Sequence, residues 1–170
     1  MPNQVRILGL DPGLRHTGWA LIDSCANKLS FVAAGVANST ESLSLADRLC
    51  ELYNQIVDII NKYHPNEAAI EEIFVNKNPQ STLKLCQARG VVLLAPAMNN
   101  VHVTSYTPNQ IKKAVVGVGH AEKAQVDMMV HALVPAAGKL KSDASDALAM
   151  AICHSYMRIT TIRMNKISEI

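Results

Sequence analysis

The order of apolar runs along the chain constrains the fold more than any other feature. Three strand-like runs come first, and only after them do helical and strand-like segments alternate. The strand-like runs are Val5–Leu10, Gly18–Ile22, Leu29–Val36, Glu67–Glu71 and Val101–Tyr106. The first three are close enough in sequence to pair as antiparallel hairpins. The pattern therefore predicts an α/β fold, with one mixed sheet of about five strands flanked by helices on both faces.

Five helices are predicted between and beyond these strands. In the clearest of them, apolar residues recur every three or four positions along one face, and a proline lies just past its end. The predicted helices are Ser44–Tyr63, Ser81–Asn99, Thr107–Val116, Glu122–Leu133 and Ser142 to about Ile159. Residues 160–170 follow no clear pattern, so we expect a loose C-terminal tail and a single domain over residues 1–159.

The second of these helices is apolar nearly all round in its second half, Val91–Met98. A helix of this kind is either deeply buried or lies in a subunit interface. Pro96 is expected to kink it or to end its regular part. We take Val91–Met98 as the hypothetical interface of a dimer.

Composition excludes several classes of protein. Hydrophobic residues make up 49% of the 170 residues, which argues against disorder. No apolar stretch approaches the roughly 20 residues that a membrane helix needs. The N-terminus has no basic segment ahead of an apolar run, so we expect no signal peptide and a cytoplasmic location. The net charge of +2 is mildly basic and says little by itself.

Four carboxylates stand where the predicted elements begin or end. Asp11 closes the first strand and Glu71 the fourth, while Asp143 and Asp146 lie three residues apart in the first turns of the last helix. A helix N-terminus favours the ionised form of such acids. If the fold brings these ends together, the acids form a cluster of hard oxygen ligands. Clusters of this kind hold Mg²⁺ or Mn²⁺ for phosphodiester hydrolysis.

Each acid also has a plain structural interpretation. The proline and glycine after Asp11 form a common turn sequence, and Asp143 and Asp146 could simply stabilise the start of their helix. Glu71 is followed by Glu72, and successive residues of a strand face opposite sides. The pattern alone leaves open which of these two glutamates joins the cluster.

Basic residues and one aromatic residue are candidates for contacts with nucleic acid. Phosphates are bound by lysine and arginine, although a solvated helix face is the commoner explanation for any single one. The candidates are Lys77, Lys84, Arg89, Lys112, Lys113 and Lys123. Phe74 belongs either to the core or to a surface on which an unpaired base stacks.

Taken together, these residues resemble the RuvC-type Holliday junction resolvases, which have a ribonuclease H-like fold. The matching segments occur in the family's order and cover most of residues 5–155. They are Ile7–Gly13 with Thr17-Gly18, Ala69–Glu71 with Phe74, Leu83–Leu85 with Gln87–Gly90, Val115–Gly117 with Ala121–Lys123, and Asp143–Ala149. The Asp-Pro-Gly turn alone would be weak, whereas the five segments together are specific.

The resemblance implies a role for each candidate residue. It implies that Glu71, rather than Glu72, joins the other three acids in holding two Mg²⁺ ions per subunit, with Mn²⁺ as the alternative. It further implies that Lys112 and Lys123 lie near the scissile phosphate, and that Phe74 inserts at the junction.

The activity that the resemblance implies is the resolution of four-way DNA junctions in recombination and repair. The expected products of two-metal hydrolysis are 5′-phosphate and 3′-hydroxyl ends. Paired, symmetric nicks require two active sites, which a homodimer with two-fold symmetry supplies. The family also implies a branch-migration motor complex as a partner and a preference for a short sequence context.

Three other functions compete with this one. A nuclease for RNA–DNA hybrids could use the same fold and the same acids. An actin-like or sugar-kinase-like phosphate binder is disfavoured, because that superfamily needs two such domains and 170 residues supply one. A catalytically silent junction-binding module is disfavoured by the complete set of acids, which repel one another without a metal.

Overall fold

The computed structural model describes residues 4–73 and 78–168, with side chains up to Arg158. Its sheet has the strand order β3-β2-β1-β4-β5. The strands are β1 (Val5–Asp11), β2 (His16–Cys25), β3 (Lys28–Asn38), β4 (Glu67–Glu71) and β5 (His102–Tyr106). The first three strands pair antiparallel, while β4 runs parallel to β1 and to β5. The predicted mixed sheet and its antiparallel hairpins are confirmed.

Five α-helices surround this sheet in the described part of the chain. They are α1 (Leu45–Tyr63), α2 (Pro79–Met98), α3 (Pro108–Val116), α4 (Lys123–Leu133) and α5 (Ser142–Ser168), with a short 3-10 helix at Pro135–Ala137. Thr107 caps α3 by accepting a hydrogen bond from the backbone N–H of Gln110. Among the described residues, none of these helices is long and apolar enough to cross a membrane.

Side chains alternate between two cores, one on each face of the sheet. Ile7 and Ala69 belong to the core that includes α3, α4 and α5. Leu8 and Ile70, one position further along each strand, belong to the core that includes α1 and α2. Helices therefore cover both faces, as the strand pattern predicts.

Two glycines allow α5 to lie directly on the sheet. A Cβ atom built on Gly9 of β1 would overlap the carbonyl oxygen of Ala147, and one built on Gly18 of β2 would overlap the carbonyl oxygen of Asp143. Because neither position has room for a side chain, the backbone of α5 contacts the backbone of the two strands. This contact fixes the first turns of α5 beside the end of β1.

The turn between β2 and β3 is shorter than the predicted polar turn over residues 23–28. It consists of Ala26 and Asn27, and Ala26 adopts a φ of 53°. The polar residues before it lie in β2 because each has a partner in the fold. Asp23 pairs with Arg6 at 2.8 Å, and the hydroxyl of Ser24 is 2.7 Å from that of Ser155.

Helix α5 is longer than predicted, since its backbone continues to Ser168 instead of ending near Ile159. No glycine or proline occurs between Ser142 and Ser168, so the chain carries no strong stop signal there. The backbone of residues 160–168 is helical, and the expectation of a loose tail over residues 160–170 stays a prediction. The domain limit at residue 159 stays a prediction.

Pro96 lies in the last turn of α2, close to the end of the helix. The helix continues for only two residues beyond it, to Met98. The backbone N–H of Asn99 donates to the carbonyl oxygen of Pro96 at 3.0 Å, and its side chain donates to that of Ala95 at 2.8 Å. These hydrogen bonds satisfy carbonyl groups that the end of a helix leaves unpaired.

The close approach of α5 predicts that Gly9→Ala destabilises the fold by roughly 1–3 kcal/mol or more, because the backbone atoms that a Cβ would meet cannot move independently. Gly90→Ala is the matched control, since nothing lies within 4 Å of a Cβ at that helical position. The control should stabilise the protein by about 0.5–1 kcal/mol. Urea unfolding monitored by circular dichroism measures both, and equal effects would contradict the assigned contact.

Candidate active site

Asp11 is the last residue of β1 and pairs with Gly18 of β2. The turn that follows it is held by Thr17, which is fully buried. The Thr17 hydroxyl donates to the carbonyl oxygen of Gly13 at 2.8 Å and accepts from its N–H at 3.3 Å. A buried side chain therefore fixes the turn just after Asp11.

Glu71 is the last residue of the neighbouring strand β4, and its face is decided by Ala69. Because Ala69 packs in the core that contains α5, Glu71 lies on the same side as that helix. Glu72 lies beyond the strand, where its N–H donates to the carbonyl oxygen of Tyr106. The structure thus brings Glu71, and not Glu72, towards the acids of α5.

Asp143 and Asp146 lie in the first turns of α5, and the four carboxylates are close enough to affect one another. The pKa of Asp11 is raised to about 7 by burial and then by the charges of Asp146, Glu71 and Asp143. Burial, followed by the charge of Asp146, also raises the pKa of Glu71. Four acids from three separate elements therefore form one cluster, defined here as the acidic cluster.

Lys123, the first residue of α4, is the direct counter-ion of this cluster. Its Nζ lies 2.7 and 2.6 Å from the two carboxylate oxygens of Asp146. Burial alone would lower the pKa of Lys123, but the hydrogen bond and charge of Asp146, with the charges of Asp127 and Asp11 nearby, raise it. Asp127 is itself held by the Ser145 hydroxyl at 2.8 Å, a link between α4 and α5 that the sequence did not reveal.

The donor set suits hard divalent cations, because all four ligands are carboxylates and their mutual repulsion calls for positive charge. The side chains as they lie do not form a finished cage. Within residues 4–73 and 78–168, no three His, Cys, Asp or Glu side chains converge tightly enough to hold an ion. Asp146 is instead turned to Lys123. The donor chemistry still fits a divalent ion, since Lys123 occupies the position of a cation beside Asp146.

Comparison with known proteins gives this arrangement its context. The family model described as "Crossover junction endodeoxyribonuclease RuvC" matches residues 7–154. The chain belongs to the RuvC family. A curated crossover junction endodeoxyribonuclease RuvC from Bartonella henselae is 54% identical over 159 residues, which is 94% of each chain.

Solved structures of related proteins agree with this family assignment. The Thermus thermophilus RuvC in complex with a Holliday junction substrate superposes with a TM-score of 0.85 at 29% identity, covering 92% of this chain and 97% of that one. The yeast mitochondrial Holliday junction resolvase Ydc2 has a TM-score of 0.69 at 14% identity, covering 96% of this chain and 84% of that one, and shares the fold. The chain is accordingly a nuclease of the ribonuclease H-like class.

A cavity of about 250 Å³ opens beside the acidic cluster of this family member. Glu71 and Asp146 line one part of it, and Lys112 and Lys123 another. Lys113 is exposed on the next position of α3. The structure therefore places two of the predicted phosphate-binding lysines, Lys112 and Lys123, at the acidic cluster.

The other predicted DNA contacts are placed differently. Lys84 is exposed on α2. Arg89 is directed into the fold, where its guanidinium donates to the carbonyl oxygen of Glu71 and to the hydroxyl of Ser105, each at 3.1 Å. It supports the end of β4. Phe74 and Lys77 lie outside the described residues, so their predicted contacts remain predictions.

A buried polar chain, which the sequence analysis missed, lies behind the acidic cluster. His154 of α5 is 2.8 Å from the Tyr106 hydroxyl through Nδ1 and 2.7 Å from Glu67 through Nε2. Arg158 donates to both oxygens of Glu67. Burial lowers the pKa of His154, which favours a neutral ring that donates to Glu67 and accepts from Tyr106. These hydrogen bonds connect α5 to β4 and to the end of β5, beside Glu71.

The raised pKa of Asp11 predicts a pH-dependent loss of stability in EDTA. Between its ordinary pKa of 3.8 and about 7, the folded state holds a proton that the unfolded state releases. Stability therefore falls as pH rises through this window. Asp11→Asn removes the effect and should be more stable than the parent at pH 8, by roughly 4 kcal/mol.

Urea unfolding at pH 4 to 8 measures this difference. Asp58→Asn, the same change at an exposed acid of α1, serves as the control and should follow the parent at every pH. Mg²⁺ should narrow the gap between Asp11→Asn and the parent, because cations bind the folded parent preferentially. A gap that does not change with pH would contradict the raised pKa assigned to Asp11.

Proposed function

We propose that this RuvC-family protein resolves Holliday junctions by paired, symmetric nicks, with Asp11, Glu71, Asp143 and Asp146 as ligands of two Mg²⁺ ions per subunit. One observation carries the proposal. The four acids come from three separate elements and meet beside the lysines of α3 and α4. The relative from T. thermophilus is described in complex with a Holliday junction substrate, and we extend that substrate to this chain.

The proposed chemistry divides between the cations and the protein. When bound, divalent cations such as Mg²⁺ or Mn²⁺ lower the pKa of an attacking water and stabilise the leaving 3′ oxygen, which yields 5′-phosphate and 3′-hydroxyl ends. The four carboxylates supply oxygen ligands and neutralise part of the cationic charge. Lys112 and Lys123, both at the cavity beside the acidic cluster, offset negative charge that grows on the phosphate.

We also propose that the active form is a homodimer, because a junction has to be cut in two opposing strands of like polarity. Helix α2 supports this assignment. Leu94 is 51% exposed and Met98 is 65% exposed, so the apolar second half of the helix presents large side chains to solvent. Exposed apolar surface of this kind marks interaction sites. A two-fold axis through α2 would place one acidic cluster on each side.

Two further expectations belong to the same proposal. A motor complex that drives branch migration would deliver the junction to the enzyme, and the enzyme would act in the cytoplasm where bacterial DNA lies. The preference for a short sequence context at the cleavage site is a further expectation from the family. Copurification of the motor with the full chain tests the first of these.

The substrate is tested with a mobile four-way DNA junction, plain duplex and an RNA–DNA hybrid, each with Mg²⁺ and with EDTA. We expect symmetric nicks in the junction alone, and only with Mg²⁺. Asp11→Asn should reduce the cleavage rate by at least about 100-fold, because even the outer partners of metal ligands contribute 10–100-fold. Asp58→Asn should cleave like the parent.

The other outcomes of this experiment identify the rival functions. Preferential cleavage of the RNA–DNA hybrid would keep the fold and replace the substrate. Tight junction binding without cleavage under any divalent ion would indicate a silent binding module. Cleavage that persists in Asp11→Asn would remove Asp11 from the catalytic set.

The dimer is tested by Leu94→Glu. A charge at the centre of the apolar surface should shift the protein from dimer to monomer in light scattering, because a buried unpaired carboxylate is costly. Met128→Glu is a matched control, since Met128 of α4 is 65% exposed and lies on the other face of the sheet. A Leu94→Glu variant that remains dimeric would show that α2 is not the interface.

A further inference from the structure

Cationic side chains lie on one side of the acidic cluster. The strand order suggests where a second set of cationic side chains could contact DNA on the opposite side. Asp11, Gly18 and Val36 are paired in one row across β1, β2 and β3. Glu71 lies at the β4 end of this row, because it follows Ile70, the partner of Leu10. The lysines of α3 and α4 lie on the β4 side of this row. A DNA strand that follows the row from that side would leave the cluster over β2 and β3. Its next phosphates would meet the surface beside β3.

The segment that covers this side is the connection from the 3-10 helix to α5. It starts at Gly138, whose φ of 63° and ψ of −153° belong to a region that is essentially restricted to glycine. Leu140 then packs against the core that contains α5. Lys139 and Lys141, on either side of it, are exposed. The partly buried leucine and the glycine together hold two lysines at the surface beside the first turn of α5.

The two lysines line a groove against the edge strand β3. The groove has a volume of about 280 Å³, and its other wall includes Gly35, Val36 and Asn38. Val36 pairs with Gly18, over which the backbone of Asp143 lies. Adjacent strands are about 4.8 Å apart, so β3 lies roughly 10 Å from Asp11. About three nucleotides of a stacked strand, at 3.4 Å each, span that distance.

Other basic residues near this flank already have partners. Arg15 forms an ion pair with Glu41 at 3.0 Å, and Arg48 donates to the hydroxyl of Ser39 at 3.0 Å. Within the described part of the chain, Lys139 and Lys141 take part in no ion pair. They are therefore the cations that remain available here for an external anion.

We propose that Lys139 and Lys141 bind backbone phosphates of the cleaved DNA strand where it leaves the acidic cluster along β3. This inference rests on the proposed function, and it adds a second phosphate-binding flank to that site. The occupant is DNA because the groove lies beside the cluster where a phosphodiester would be cut: Ala144, which lines the groove, directly follows Asp143. The lysines contribute affinity and register and do not touch the reacting atoms.

The test compares junction binding by the parent and by the double variant Lys139→Gln/Lys141→Gln over a series of salt concentrations in EDTA. Removing two phosphate-binding charges should weaken binding several-fold at low salt. It should also reduce the slope of log K against log salt by about 0.9 for each phosphate that a lysine no longer neutralises. In cleavage assays with Mg²⁺, KM should rise while kcat changes little.

Two controls keep the result interpretable. Lys28→Gln changes an exposed lysine at the opposite end of β3 and should bind like the parent. Lys139→Arg/Lys141→Arg keeps the charge and should retain the parent's salt slope. An unchanged slope in the glutamine variant would overturn the proposal. If the arginine variant shows the same reduction in salt slope as the glutamine variant, the proposal is also overturned. The loss would then come from a change in the fold of the segment and not from the loss of charge.

Failure of the proposed function would give a different result. In that case the parent itself would not cleave the junction with Mg²⁺. The salt slope in EDTA requires no cleavage, so it reports on these lysines independently. If the parent cleaves the junction but the glutamine variant keeps the parent's salt slope, the proposed function stands. The phosphate-binding role of Lys139 and Lys141 is then rejected.

Discussion

The contact of the α5 backbone with β1 and β2 is the constraint on which the site depends. Gly9 and Gly18 leave no side chain between helix and sheet, so the first turns of α5 lie at a fixed height above the end of β1. Asp143 and Asp146 are carried on those turns. A side chain at either glycine would raise the helix and separate its acids from Asp11. The geometry of the acidic cluster and the packing of the core are therefore set by the same two positions.

This geometry concentrates negative charge in a partly buried site. Hydrogen bonds from neighbouring residues hold the acids in position there. Burial and then the charges of the other three acids raise the pKa of Asp11 to about 7. The supporting hydrogen bonds lie outside the cluster: Thr17 holds the turn after Asp11, and Arg89 holds the end of β4. Such groups locate charged ligands that would otherwise move apart.

Local pattern was sufficient for the strands, for most helix limits and for the positions of Asp11, Asp143 and Asp146 at the ends of elements, because alternation and helix periodicity are properties of short segments. Choosing Glu71 over Glu72 from the residues alone required knowing which face α5 covers, which is a long-range contact. The same limit applies to Ser24, whose partner Ser155 is 131 residues away. Arg89 was expected to face DNA on charge alone, and only the fold reveals that it supports β4.

The ion pair between Lys123 and Asp146 makes metal loading an exchange reaction. A cation that binds Asp146 has to compete with the ammonium group of Lys123. That group already donates hydrogen bonds to both carboxylate oxygens of Asp146. The measured affinity for metal thus includes the free energy of releasing Lys123. That release would leave the lysine available to phosphate at the moment when the acids acquire their cations. Cofactor and substrate would then be linked thermodynamically, each favouring the other through one side chain.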